Sequence, residues 1–138
     1  MKVLLDTNVV LDAIAAREPF KEAAQGIILL AAEDKVVGFI TANCLTDIYY
    51  IARKSMSDAD AREALHNLFL VFNVIGLLGT DCEEALNLAI DDYEDAVAVV
   101  CARKANVEYI ITRDEEFLRA ASKPSAISPQ DFLKKLKR

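Results

Sequence analysis

Residues 1–14 read "MKVLLDTNVVLDAI". Five residues of extended, apolar character run straight into Asp6, Thr7 and Asn8, with no glycine or proline to ease the turn. From Val9 onward the apolar residues take up helical spacing. A carboxylate, a hydroxyl and an amide therefore stand where a buried strand gives way to a helix. Two readings follow. Locally, Asp, Thr and Asn all make good helix N-caps, satisfying backbone N–H groups that have no partner inside the helix. Chemically, the carboxyl end of a parallel strand is where open α/β sheets bind their ligands. On position alone the cap is the favoured reading.

The same strand-then-helix rhythm repeats along the chain. "KVVGFIT" (35–41) reads as a second strand, β-branched and bounded by charge, with Thr41 capping the helix "ANCLTDIYYIARK". "NVIGLL" (73–78) is a third strand and "VEYIIT" (107–112) a fourth, with "SAIS" (125–128) a brief fifth. Between them lie helical segments. Pro19 occupies a first-turn position before "KEAAQGIILLAAED", while Ser57 with Asp60 and Thr80 with Glu83 match capping boxes. Ser128 and Pro129 open a final amphipathic, basic helix through "KKLKR". Strands joined by helices imply crossover connections and a mostly parallel sheet covered on both faces. The expected fold is a three-layer α/β/α sandwich around four to five strands, as one domain over residues 1–138.

Composition limits the function. The 138 residues are 54% hydrophobic with only four glycines and three prolines, which suits a packed domain and argues against disorder. Three cysteines (Cys44, Cys82, Cys101) without a CxxC pair give neither a disulfide framework nor zinc-ligand spacing. No apolar run approaches the roughly 20 residues that span a bilayer. Asp6 also interrupts any leader-like segment, so a cytoplasmic protein with no membrane partner is expected. A net charge of −6 opposes a role that holds nucleic acid by broad electrostatic attraction. It leaves room for an enzyme that touches a few phosphates.

The acids fall at informative places. Asp6 ends the first strand, and Asp114 follows the fourth by two residues, after Thr112. Asp47 lies in the helix after the second strand, beside its apolar face. Asp92 and Asp95, three apart, share one side at the start of the helix before the fourth strand. If the first and fourth strands are neighbours, Asp6 and Asp114 face one crevice, and the helices passing that edge can bring Asp47 and Asp95 to it. Carboxylates so crowded raise one another's pKa values, and hard divalent cations with oxygen ligands relieve the repulsion. Asp12, Glu94, Glu115 and Glu116 read as solvated charges. His66, the single histidine, reads as an ordinary helix position, and Tyr49 and Tyr50 as packing residues.

Three blocks, "VLLDTNVVLDAI" with "REPF", "ITANCLTDIYYIARK", and "DYEDAVAVVCARKANVEYIITRDEEF", together resemble the PIN-domain family of metal-dependent ribonucleases. They follow the family's order over nearly the whole chain, and the likeness extends to the small stand-alone VapC-like members that serve as toxins of toxin–antitoxin pairs. The resemblance implies that Asp6, Asp47, Asp95 and Asp114 are the catalytic acids and hold one or two Mg²⁺ or Mn²⁺ ions. Asn8, Thr112 and Asp92 would support them. Asp47 departs from the commoner Glu and is one methylene shorter. The implied reaction is hydrolysis of an RNA phosphodiester by a metal-activated water, leaving a 5′-phosphate and a 3′-hydroxyl. An antitoxin and a second copy of the chain are the implied protein partners.

So acidic a site repels RNA, and Arg53, Lys54 and Arg113 are the cations expected to meet phosphate. The alternative is a non-catalytic PIN-like module that binds RNA or protein, against which stands the complete set of acids. GxSxG, P-loop and Rossmann signatures are absent. A dehalogenase-type enzyme would want an Asp where Asn8 stands, and a receiver domain a phosphorylatable Asp at a later strand end with a distant Lys.

Overall fold

A computed structural model describes residues 1–137; Arg138, the last residue of the expected C-terminal helix, lies outside them. The strands are β1 (Lys2–Leu5), β2 (Val37–Thr41), β3 (Asn73–Ile75), β4 (Tyr109–Ile111) and β5 (Ser125–Ile127). The helices among the described residues are α1 (Thr7–Ile14), α2 (Lys21–Ala32), α3 (Ala42–Ala52), α4 (Asp58–Val71), α5 (Gly79–Ala85), α6 (Tyr93–Lys104), α7 (Glu115–Ala120) and α8 (Pro129–Leu136). The five strands form one sheet in the order β3-β2-β1-β4-β5, and every pairing is parallel. None of the helices is long and apolar enough to cross a membrane.

The strand order explains where a site can form. The chain winds outward from β1 through β2 to β3, then returns to the other side of β1 for β4 and β5. Winding therefore reverses between β1 and β4, and loops leaving their carboxyl ends diverge to open a crevice. β1 and β4 are in register with Leu4 beside Ile110 and Leu5 beside Ile111, and Asp6 N–H donates to the Ile111 carbonyl at 2.9 Å. Asp6 is thus pinned one residue beyond the paired strands.

Alternation along the strands divides the core into two layers. Val3 and Leu5 pack with Val9, Ile27, Ile48, Leu68, Phe72 and Phe132 on the face covered by α1–α4 and α8. Leu4 and Ile110 face the other way, onto Val97, Val100 and Phe117 of α6 and α7. Elements from both layers therefore end at the same edge of the sheet.

Several boundaries differ from expectation. The first helix stops at Ile14, and Ala16 takes a left-handed φ of 52°, so Pro19 precedes α2 and is not in its first turn. The Thr80–Glu83 box does not form. α5 begins at Gly79, because buried Asp81 accepts from Leu78 N–H at 2.9 Å and pairs with Lys104 Nζ at 2.6 Å. Lys104 also donates to the Gly76 carbonyl, so this contact ties α6 to the loop after β3. Ser57 and Ser128 cap as expected, accepting from Asp60 N–H and Asp131 N–H. Thr41 occupies the N-cap of α3, but its hydroxyl pairs with Cys44 Sγ at 2.8 Å and not with a backbone N–H.

Gly38 is the position in β2 where no side chain fits. A Cβ there would stand 2.6 Å from two carbons of the buried Phe72 ring and 3.3 Å from Ala31 Cβ. Gly38→Ala should destabilise the domain by about 1–3 kcal/mol, as overpacking of a filled core does. Urea unfolding of the two proteins measures it, and an unchanged midpoint would show that the ring has room to move.

Candidate metal and nucleic-acid site

The carboxyl edge of β1 and β4 opens into a cleft of about 340 Å³ whose walls include Asp6, Asn8, Asp47, Asp92, Asp95 and Asp114. All four expected catalytic acids, with two of their three expected supports, therefore reach one cavity. The third support, Thr112, is fully buried beneath it. Its hydroxyl donates to Asp6 Oδ2 at 2.8 Å and accepts from Asp114 N–H at 3.1 Å. One threonine thereby links the end of β1 to the start of α7.

Three of these acids are also helix caps. Asp6 Oδ1 accepts from Thr7 N–H at 2.9 Å, and Asp92 Oδ1 accepts from Asp95 N–H at 3.0 Å. Asp114 Oδ1 accepts from Glu116 N–H at 2.9 Å and Phe117 N–H at 3.3 Å. The two readings of Asp6 are therefore compatible, since each carboxylate has a lone pair or a second oxygen beyond those that cap. The carboxylates of Asp47 and Asp95 accept no hydrogen bond among the described residues.

Asp95 carries the strongest mark of crowding. Burial raises its pKa from 3.8 to about 7, reinforced by the charges of Asp92, Asp6, Asp114 and Glu116. Burial also raises that of Asp6, an effect opposed by the bonds from Thr112 and Thr7 and increased by the charges of Asp114 and Asp92. The donors suit a hard cation in kind, being oxygen-only and mutually repelling. Among the described residues, no three His, Cys, Asp or Glu side chains form a ready-made cage for a metal ion.

The surroundings correct several expectations. Asp12 is not a solvated charge: it is 1% exposed and receives Arg113 Nε at 2.7 Å and Nη2 at 3.3 Å. Arg113 is consequently taken up by Asp12 and lies over the Phe20 ring at 4.0 Å, so it is not a cation free for phosphate. The sequence gives no local signal for this pair, whose members are 101 residues apart. Arg53 donates to Tyr49 and Asp58, and Lys54 is exposed in the turn after α3. Glu94 lines the acidic cleft, while Glu116 lines a smaller adjoining one of about 220 Å³ that shares Asp92 and Asp95. Arg119 lies on that second cleft, one turn after two acids in "DEEFLR", a spacing that could have singled it out. His66 is exposed on α4, beside Tyr49 and Phe69 in a surface depression, and does not line the acidic cleft.

The raised pKa of Asp95 has a consequence for stability without metal. A carboxyl held above its unfolded value favours the fold while protonated, and that contribution is lost as pH rises from about 4 through about 7. In EDTA, the melting temperature should therefore fall between pH 5.5 and pH 8 more for the wild type than for Asp95→Asn. Parallel pH profiles for the two proteins would show that Asp95 is not crowded.

Comparison with known proteins bears on family. No curated protein matches the chain. Among solved structures, the VapC20 toxin of Mycobacterium tuberculosis, described as cleaving the sarcin–ricin loop, superposes with a TM-score of 0.70 at 16% identity, over 86% of this chain and 95% of that one. A toxin–antitoxin complex of Klebsiella pneumoniae gives 0.67 at 22% identity, over 92% and 97%. VapBC2 of Rickettsia felis, solved on a fragment of its promoter DNA, gives 0.66 at 17% identity, over 93% and 98%. These are likenesses of fold. The PIN domain family model matches residues 2–116, and the chain belongs to the PIN domain family.

Proposed function

We propose that this PIN domain is an endoribonuclease dependent on Mg²⁺ or Mn²⁺ and acts as the toxin of a toxin–antitoxin pair. The observation that carries the reading is the convergence of Asp6, Asp47, Asp95 and Asp114 on one cleft at the β1/β4 edge. Burial and the neighbouring carboxylates raise the pKa of Asp95 there, which marks the cleft as a candidate functional site.

Asp6, Asp95 and Asp114 would hold one or two ions, with Asp47 as a further ligand or as the group that orients water. A bound ion would supply water activation and neutralise charge on the scissile phosphate. The residues do the rest. Thr7 N–H and the Thr112 hydroxyl fix the two oxygens of Asp6. The cap of α7 fixes Oδ1 of Asp114. Asp95, its pKa raised to about 7 by burial and its neighbours, is partly protonated near neutral pH and would release that proton to act as a ligand. Asn8 and Asp92 on the cleft wall orient groups bound there. Arg119 on the adjoining cleft is well placed to meet a neighbouring phosphate, with Arg53 and Lys54 as weaker candidates.

Support for an antitoxin comes from the fold neighbours, which include toxin–antitoxin complexes. Apolar side chains left in solvent on α3 and α4 agree with a protein partner: Tyr50 is 69% exposed and Leu70 85%. Pairing with a second copy of the chain belongs to the same proposal.

Purified protein should cleave single-stranded RNA with Mg²⁺ or Mn²⁺ and stop with EDTA. Asp6→Asn and Asp95→Asn should each lower turnover by about a hundredfold or more, as loss of a ligand to a catalytic ion does. Asp47→Glu, which restores the commoner family residue, should be milder. Gel assays on a labelled oligonucleotide measure all of these, and full activity after thorough chelation would overturn the metal-dependent reading.

A further inference from the structure

The loop between β4 and α7 carries Thr112, Arg113 and Asp114 in succession, and its first two side chains are both bound to the segment that begins at Asp6. Thr112 bonds Asp6, the cap of α1, and Arg113 grips Asp12, six residues further on. Six residues of helix advance about 9 Å, so the two attachments are well separated. A loop held at one point can pivot; a loop held at two cannot. The second attachment is strong for its kind. It is a two-nitrogen contact on a carboxylate with almost no exposure to water, reinforced by Arg17 Nε at 3.6 Å and by the Phe20 ring against the guanidinium. Nothing in the acidic cleft itself requires Asp12 or Arg113, and neither lines it.

We infer that Asp12 and Arg113 are positioning residues: their ion pair locks the β4–α7 loop onto α1 and so sets where Asp114 stands relative to Asp6. The inference rests on the metal-site reading for its functional meaning, while the lock itself is a property of the metal-free protein. A burial role alone would be satisfied by any stabilising pair. The distinguishing feature is that this pair adjoins Thr112 and Asp114 in the chain, so loosening it loosens the site before the core. Lysine at 113 would keep the charge but not the two-pronged grip.

The test compares wild type with Arg113→Gln and Arg113→Lys. Asp81→Asn, which breaks the ion pair to Lys104 on α6, serves as a control for general loss of stability. Amide hydrogen exchange in EDTA reads the loop directly. In Arg113→Gln, the N–H groups of Asp114, Glu116 and Phe117 should exchange at least about tenfold faster, while the core amides of Val100 and Ile110 stay close to wild type. Arg113→Lys should fall between. Calorimetric titration with Mn²⁺ alone should then show affinity reduced by about 10- to 100-fold in Arg113→Gln, the range for groups that orient metal ligands, and unchanged in Asp81→Asn. Should Arg113→Gln fail to fold, Arg113→Lys carries both measurements. Wild-type exchange at the loop in the Arg113 variants, or faster exchange only in step with the core, would overturn the lock. Absence of Mn²⁺ binding by the wild type would instead count against the metal site, with the exchange data still deciding the lock.

Discussion

The parallel pairing of β1 with β4 is the constraint on which the rest of the structure depends. It places Leu5 beside Ile111 and directs Asp6 N–H to the Ile111 carbonyl, so the first residue past each strand emerges at the same height. Thr112 can then reach Asp6 across the gap. Strands in a sheet lie about 4.8 Å apart, a distance that one short hydroxyl side chain and one carboxylate can bridge. Any other neighbour for β1 on that side would leave Thr112 and Asp114 elsewhere. Because α1 and α3 cover one face and α6 and α7 the other, this edge is also where acids from both layers can meet.

Capping and crowding act together there. α1, α6 and α7 all begin at the cleft, each with an aspartate at its cap. Helix N-termini carry partial positive charge and unpaired N–H groups, which favour anions within the first turn. Three such termini offset part of the repulsion among the carboxylates they hold, so the acids can gather before any counter-ion arrives. The offset is incomplete, and Asp95 records the remainder: it lies inside the first turn of α6, yet burial and its neighbours still raise its pKa to about 7.

Much of this could be read from the chain because local rules govern it. The five strands follow from short apolar runs, the cap at Ser57 from Asp60 three positions on, and the cap at Ser128 from the proline that follows it. Neighbouring first and fourth strands permit Asp6 and Asp114 to meet, and it is the resemblance to PIN domains that singles out Asp47 and Asp95 as their companions. What escaped depends on distant partners. Asp12 looks like any polar position in an amphipathic helix; the partner that satisfies its buried carboxylate is Arg113, 101 residues away. Arg113 looks like a free cation for the same reason. The missed start of α5 is another case, since Lys104 holds Asp81 where its carboxylate caps Leu78 and pre-empts Thr80. Glu94 and Glu116 escaped because helix pattern alone does not reveal which solvent-facing turn borders a cleft.

The acids divide by how firmly they are held, and the division bears on how a cation would be received. Asp6, Asp92 and Asp114 are each fixed by hydrogen bonds from backbone or threonine, so their positions belong to the fold. Asp47 and Asp95 accept none among the described residues. Carboxylates gathered in one cleft repel one another when unprotonated, and burial adds to that cost for Asp6 and Asp95. Hydrogen bonds to the fixed acids offset part of that cost, while Asp95, which accepts none among the described residues, shows it in its raised pKa. Arg113 matters most for Asp114, which belongs to the fixed group and whose loop would otherwise be tied to the β1–α1 segment through Thr112 alone.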